Sequence, residues 1–324
     1  MFKKGLIGFI LLCCPLTLWA QQIAFLPPGV LRVDAGQETK QSSRAYKNKN
    51  NTIALKNKEA RRQNIIDSHV SGDLYYQEVN RRVTLEVGVF EDWSLGLAKT
   101  NRTLERQSTL KLEDPNDLDA ANFVANNSSH QVQGAGDTEF WTWWRGYYDD
   151  THLWLYGLNL NLNDGETGYN QAHPLNLGDG LNQVEFKLLW EAYLSGSRMM
   201  FRSQANLSVP LNAKVKNSKG NEVVLYKGIG RHLDSAFINQ FGYAHYGLML
   251  EGTQQPVTFL DKVGQNDSFS LVNLQFILGA SDLKLLEEGP LALPILFELR
   301  STHCLYGNNA NLQDGLSLRF EAYF

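Results

Sequence analysis

The feature that most restricts this chain is a hydrophobic period of two, repeated in segment after segment. In residues 82–90, Val83, Leu85, Val87 and Val89 alternate with Arg82, Thr84, Glu86 and Gly88. After Glu91-Asp92, Trp93, Leu95 and Leu97 alternate with Ser94, Gly96 and Ala98. The same pattern recurs at Trp154–Leu162, at Val184–Trp190 against Glu185, Lys187 and Glu191, at Phe201–Val209 against Arg202, Gln204, Asn206 and Ser208, and at Val272–Leu278. Successive side chains of a strand point to opposite faces, so this spacing predicts half-apolar β-strands. No convincing amphipathic helix is expected, and the chain reads as all-β.

The connections narrow the choice further. Read forward they alternate short and long: 91–92 then 101–133, 149–151 then 163–180, 194–197 then 210–221, 230–234 then 251–267, 281–282 then 301–313. A water-soluble sandwich has no reason to gather its long loops at one end. A transmembrane antiparallel up-and-down β-barrel of the outer-membrane type does, with short periplasmic turns and long external loops. The count is about twelve strands. The first is either residues 30–41 followed by a long loop or residues 72–79 paired directly with the next strand. Residues 223–227 and the stretch around Pro290 and Pro294 are weak strand candidates, since proline removes a ladder donor. A mean hydropathy of −0.31 argues against a bundle of membrane helices and leaves a barrel open.

Residues 1–20, MFKKGLIGFILLCCPLTLWA, place Lys3 and Lys4 before an apolar run and end on the small Ala20. That order predicts a secretory signal peptide. The exported chain would retain a single cysteine, Cys304, so no internal disulfide is expected. Residues 21–62 carry nine Lys/Arg against Asp34, Glu38 and Glu59, a charge of +6. The whole chain carries −4, or −6 without Lys3 and Lys4, which leaves −12 from Gln63 onward. The expected organisation is therefore a signal peptide (1–20), a basic N-terminal leader (21–69) that supplies a first strand and loop or a plug, and the barrel proper (70–324). These balances give no reason to expect a nucleic-acid partner.

Three signals favour lipid as the solvent of the apolar face. Aromatics gather beside the expected turns: Phe90 and Trp93 around 91–92, Trp141, Trp143, Trp144, Tyr147 and Tyr148 before Asp149, Trp190 and Tyr193 before Ser195. Indole and phenol rings settle at the membrane–water boundary. Several strands run about ten residues, as a tilted membrane strand requires. The sequence ends DGLSLRFEAYF, with Leu316, Leu318, Phe320, Ala322 and Phe324 on one face. That ending resembles the C-terminal signal by which bacterial barrel-assembly machinery recognises its clients, which makes that machinery, outer-membrane lipid and a small-molecule solute the expected partners.

Residues 90–100 (FEDWSLGLAKT), the Gly134-Ala135-Gly136-Asp137 start of a strand, and residues 157–163 (GLNLNLN) resemble the outer-membrane proteins grouped with the phenol meta-degradation pathway, over residues 83–324. A neighbouring group of uncharacterised barrels is similar to the same degree. The likeness departs at Asn163-Asp164, where a proline-containing segment would be expected. It implies a transporter of hydrophobic compounds in the cell outer membrane.

Enzyme chemistry is not expected. His245 falls on a strand without a nearby serine, His232 and Asp234 fall in the expected 230–234 turn, and the seven histidines have no zinc spacing. The Asn163-Asp164-Gly165 and Gly178-Asp179-Gly180 triplets read as turns rather than calcium ligands. No metal and no cofactor is expected. The functional candidates are the polar residues that strand parity directs inward: Glu139, Arg145, Glu185, Lys187, Glu191, Arg202, Gln204 and Asn206. They either fill a narrow barrel as a hydrogen-bonded ion network or set the preference of a channel.

Overall fold

A computed structural model describes residues 26–48, 51–62, 65, 69–149, 151–162, 164, 181–194, 199–216, 222–241, 243–260, 263–264, 268–281 and 295–324. The expected signal peptide, the 178–180 triplet and the two prolines at 290 and 294 lie outside them. Twelve strands form the wall: β1 (Leu31–Asn48), β2 (Leu74–Phe90), β3 (Trp93–Ser108), β4 (His130–Tyr148), β5 (His152–Leu162), β6 (Gln183–Tyr193), β7 (Met199–Pro210), β8 (Gly230–Phe241), β9 (Ala244–Gln255), β10 (Phe269–Ser281), β11 (Ile295–Asn308) and β12 (Asn311–Tyr323). Each pairs antiparallel with its sequence neighbour, and β12 returns to β1 from Arg32↔Tyr323 to Ala45↔Asn311. Closure leaves the wall without an open edge, the condition for a sheet to cross a bilayer. The structure is thus a closed antiparallel barrel of the outer-membrane type.

Parity sorts the side chains as the period of two predicts. Val83, Leu85 and Val87 on β2, Leu95 and Leu97 on β3, Leu158 and Leu160 on β5, and Leu248 and Leu250 on β9 form part of an exposed apolar exterior. Phe90, Trp93, Trp144, Tyr147 and Tyr148 lie exposed beside the short turns, as an interfacial girdle should. The girdle expectation fails for Trp141, Trp143 and Tyr193. Trp143 and Trp144 are adjacent in one strand and must face opposite ways, so Trp143 turns inward onto Leu155 and Leu189.

Three connections differ from expectation. The one expected to be short at 281–282 spans residues 282–294, since β10 ends at Ser281 and β11 begins at Ile295. Residues 230–234 are not a turn but the start of β8, which runs on to Phe241 before β9 begins at Ala244. Leu233 faces outward between the half-buried His232 and Asp234, so the polar run GRHLD is an alternating strand that its glycine disguises. The expected long connection at 301–313 is a two-residue turn at residues 309–310. Asn309 makes it by adopting φ 53°, the left-handed region that asparagine tolerates.

Strands β1 to β4 run 18, 17, 16 and 19 residues, well beyond the ten expected, and project past the apolar belt on the long-loop side. The first strand is drawn from the basic segment, and residues 74–79 begin β2. Two short helices sit on this extension, α1 (Leu55–Arg62) and α2 (Leu118–Asn126). They enclose a small apolar core of Ala60, Ile65, Val70, Ala120 and Phe123. Asp117 caps α2, accepting from the backbone N–H of Asp119 and Ala120 at 3.0 Å each. At its other end the buried Arg106 donates to the carbonyls of Asn126 at 2.8 Å and Ser128 at 3.0 Å. Such helices escape a periodicity reading because each is shorter than the window over which a 3.6 period can be counted. Residues 222–227 do form a strand, but in a separate small sheet with residues 213–216, 258–260 and 263–264, not in the barrel wall.

Before β1 the chain turns in against the lumen side of β2. Gly29 N–H donates to Gly88 O at 2.8 Å, Gly88 N–H donates to Val30 O at 3.0 Å, and Leu26 is fully buried against Tyr323 and Val30. A Cβ at Gly88 would lie 2.0 Å from the Pro27 carbonyl oxygen, so only glycine admits this approach.

Candidate functional site

The inward faces of β11, β12 and β1 to β4 carry a continuous set of ion pairs. Arg32 and Glu86 are register partners on β1 and β2, with Arg32 Nη2 2.5 Å from Glu86 Oε2. Glu86 also accepts from Ser94 Oγ at 2.8 Å and from Trp141 Nε1 at 3.1 Å. Arg319 donates through Nε to Asp34 at 2.6 Å and also engages Glu321, which accepts from Tyr323 OH at 2.6 Å. Arg300 Nε donates to Glu298 at 2.5 Å, and His245 Nε2 lies 3.4 Å from the other oxygen of that carboxylate. Higher on the wall, Arg82 forks onto Glu139 at 2.6 and 2.9 Å, and Arg102 reaches Glu78 at 2.8 Å. Buried charges are tolerated only when each finds an opposite charge and further hydrogen bonds, and this network supplies both.

A cavity of about 650 Å³ opens on this wall. Arg82, Glu86, Glu139, Trp141, Trp143 and Arg319 line part of it, with Lys187 and Gln204 reaching in from β6 and β7. Gly96 admits the Trp141 indole flat against β3: a Cβ there would meet the ring at 2.1 Å.

Seven of the eight candidates from the sequence sit on the lumen wall. Glu139 takes the Arg82 fork. Glu185 pairs with Lys187 at 3.1 Å and accepts from Asn159 Nδ2 at 3.2 Å. Glu191, fully buried, lies 3.7 Å from its register partner Arg202 and accepts from Tyr193 OH at 2.7 Å. Gln204 Nε2 donates to Asn206 at 3.0 Å. Arg145 stands apart: it is drawn to the short-turn end, where Nε donates to Asp92 at 2.8 Å and the guanidinium covers the Tyr148 ring at 4.2 Å. A register irregularity between Arg145 and Tyr147 accompanies that displacement. His232 and Asp234 lie inside β8, with His232 Nδ1 3.0 Å from Thr253 Oγ1 and Nε2 3.4 Å from Asp234.

The residues that sequence reasoning missed are Arg32, Asp34, Arg82, Glu86, Glu298 and Arg319. Arg32 and Asp34 were counted as leader charge, and Glu86 and Arg319 only as polar members of an alternation. Parity held the signal: a carboxylate or guanidinium flanked on both sides by large apolar residues has only the lumen to face.

Opposite the charged wall, at the same short-turn end, β7 to β10 direct Met200, Ala236, Ile238, Met249 and Ile277 inward as one buried apolar cluster against Tyr193. Leu155 and Leu189 continue it on β5 and β6.

No known family profile and no curated protein matches the sequence. Among solved structures, an outer-membrane channel from Pseudomonas putida F1 shares the fold, with 12% identity over 95% of this chain and 100% of that one and a TM-score of 0.68. A Pseudomonas aeruginosa FadL homologue (10% identity, 91% of this chain and 90% of that one, TM-score 0.42) is less alike. So is a deltaS2 mutant of the TodX monoaromatic hydrocarbon channel (7%, 93% and 91%, TM-score 0.44). The fold assignment rests on the first.

Proposed function

We propose that this barrel is a channel of the cell outer membrane for passage or uptake of small solutes, including ones with a hydrophobic body. The observation that carries this reading is the cavity of about 650 Å³ inside a closed wall, large enough for a small organic molecule. A barrel serving only as a membrane-anchored scaffold has no need of a polar cavity, because apolar side chains would fill the same space at lower desolvation cost. Trp141 and Trp143 offer flat apolar surface within the polar lining. Arg82, Lys187 and Gln204 are the proposed solute contacts, with Glu139, Glu185, Glu191, Arg202 and Asn206 holding the wall around them.

The C-terminal strand is the proposed handle for assembly. Phe324 closes it by exchanging backbone hydrogen bonds with Leu31 at 2.8 and 3.0 Å while its ring stays exposed. Deleting Phe324 should lower the amount of folded barrel recovered from the outer membrane.

Refolded full-length protein in a planar bilayer tests the channel. Discrete conductance steps, with swelling of liposomes in small-solute gradients, are the expected result. Absence of both from a sample whose electrophoretic mobility shifts on heating would overturn the reading, because the barrel would be folded and impermeable.

A further inference from the structure

The chain is formally acidic, at −4, but its ion pairs do not present that sign to the lumen. Seven arginine–carboxylate pairs stand on the lumen wall among the described residues: Arg32–Glu86, Arg82–Glu139, Arg102–Glu78, Arg202–Glu191, Arg300–Glu298, Arg319–Asp34 and Arg319–Glu321. In every one the guanidinium is the more exposed partner. Arg82 is 43% exposed against 19% for Glu139, Arg319 33% against 12% for Asp34, and Arg300 26% against 0% for Glu298. Two lysine pairs, Lys40–Glu38 and Lys187–Glu185, share their exposure evenly and do not reverse the bias.

A solute in the cavity therefore meets guanidinium groups in front and carboxylates behind them. Coulomb interaction falls with distance, and low-dielectric walls concentrate the nearer field, so the lumen is electropositive although its pairs are formally neutral. An arginine fork also has more N–H donors than one carboxylate can take up, which suits it to hold a second anion beside the first. The Arg82 guanidinium lies 6.0 Å from the centroid of the Trp141 ring, and Trp143 lines the same cavity. A planar apolar group can lie on the indoles while its charge faces Arg82.

Resting on the channel reading, we propose that the lumen selects small organic anions, and small aromatic carboxylates in particular. Acidic composition would suggest the opposite preference. The pairing geometry decides it, because the acids are spent in the wall.

Two measurements on refolded full-length protein test this, with benzoate as the probe and benzyl alcohol and benzylammonium as its neutral and cationic counterparts. Tryptophan fluorescence titration should give benzoate a Kd on the order of millimolar, with the other two about tenfold weaker or worse. Reversal potential across a potassium chloride gradient should show chloride preferred over potassium. Arg82→Gln should weaken benzoate about tenfold and move the reversal potential toward zero, while Arg82→Lys retains most of the preference. Glu139→Gln, which removes the acid behind the same guanidinium, should tighten benzoate, because the freed N–H donors turn to the anion. A heat-dependent mobility shift verifies that each variant folds. Equal binding of benzoate and benzyl alcohol, or a preference for potassium, overturns the inference and leaves the channel standing. Benzoate binding without conductance overturns the channel reading and leaves the anion site standing. A folded barrel with neither overturns both.

Discussion

The two walls of the lumen at the short-turn end are built from the same strand period and solve burial in opposite ways. On β11, β12, β1 and β2 the inward positions are Glu298, Arg319, Glu321, Arg32 and Glu86, bound to each other and to Tyr323, Ser94 and Trp141. On β7 to β10 they are chiefly Met200, Ile238, Ala236, Met249 and Ile277, which meet by apolar packing, with His245 reaching across to Glu298 at 3.4 Å. A barrel interior therefore need not be polar throughout. Charge stands where register partners such as Arg32↔Glu86, Glu298↔Arg319 and Arg202↔Glu191 supply its complement, and between such pairs apolar contact is the cheaper filling. The walls should also fail differently. Removing one member of the charged arc strands its partner, whereas truncating the apolar arc leaves only a void.

The largest effect is expected at Glu86. Glu86→Ala removes the acceptor for Arg32, Ser94 and Trp141 together, and breaking a buried pair of this kind costs about 3–5 kcal/mol. Urea titration of the refolded protein, followed by loss of the heat-modifiable band, measures it. Glu86→Gln keeps an acceptor for Ser94 and Trp141 and should lose less. If the two substitutions cost the same, hydrogen bonding to this carboxylate contributes nothing beyond its charge, and the contrast between the walls weakens.

On the apolar arc, Ile238→Ala should cost about 2–4 kcal/mol, set by the lost burial and the residual void beside Met200 and Met249. No charge is stranded, so this cost should not change with salt, whereas that at Glu86 should fall as salt screens whatever part of the arc water reaches. A salt-dependent loss at Ile238 would mean that the apolar cluster also supports the ion pairs across the lumen, and the two walls would be one unit.

How much of this could be read in the sequence follows from the same division. The exterior was legible, because lipid requires an apolar residue at every second position and tolerates few exceptions, as Leu316, Leu318 and Phe320 illustrate. The closed barrel and its dozen strands came with it. Partnership inside the lumen was not legible. Arg319 meets Asp34 across 285 positions of sequence, a contact that only closure of β12 on β1 creates. Arg32 and Asp34 consequently counted as leader charge. Polar residues misled wherever strands outrun the membrane: the lipid rule lapses there, so Thr302 and His303 looked like loop although β11 continues to Asn308. Arg145 had the correct inward parity but lies at the turn, where Asp92 is nearer than any lumen partner.

The smallest effect is expected farthest from both walls, at α2 on the external extension, where a single carboxylate does what each wall does with many groups. Asp117 lies below the usual carboxylate range, chiefly because it accepts from the Ala120 amide and then because His69 Nδ1 stands 2.7 Å away. A depressed acid stabilises the fold fully above its unfolded pKa, near about 3.9, and the contribution is lost as pH falls through the lower folded value. Below about pH 4 the cap should weaken. Hydrogen exchange by mass spectrometry, corrected for the intrinsic pH dependence of exchange, would show residues 117–127 losing protection in acid ahead of β2 and β12. In Asp117→Asn the same segment should show no acid transition, since the amide retains an acceptor for the Asp119 and Ala120 N–H groups and cannot titrate. Protection lost together from α2 and the barrel strands would mean that the extension is not an independent unit, and that the small core around Phe123 helps hold the barrel mouth.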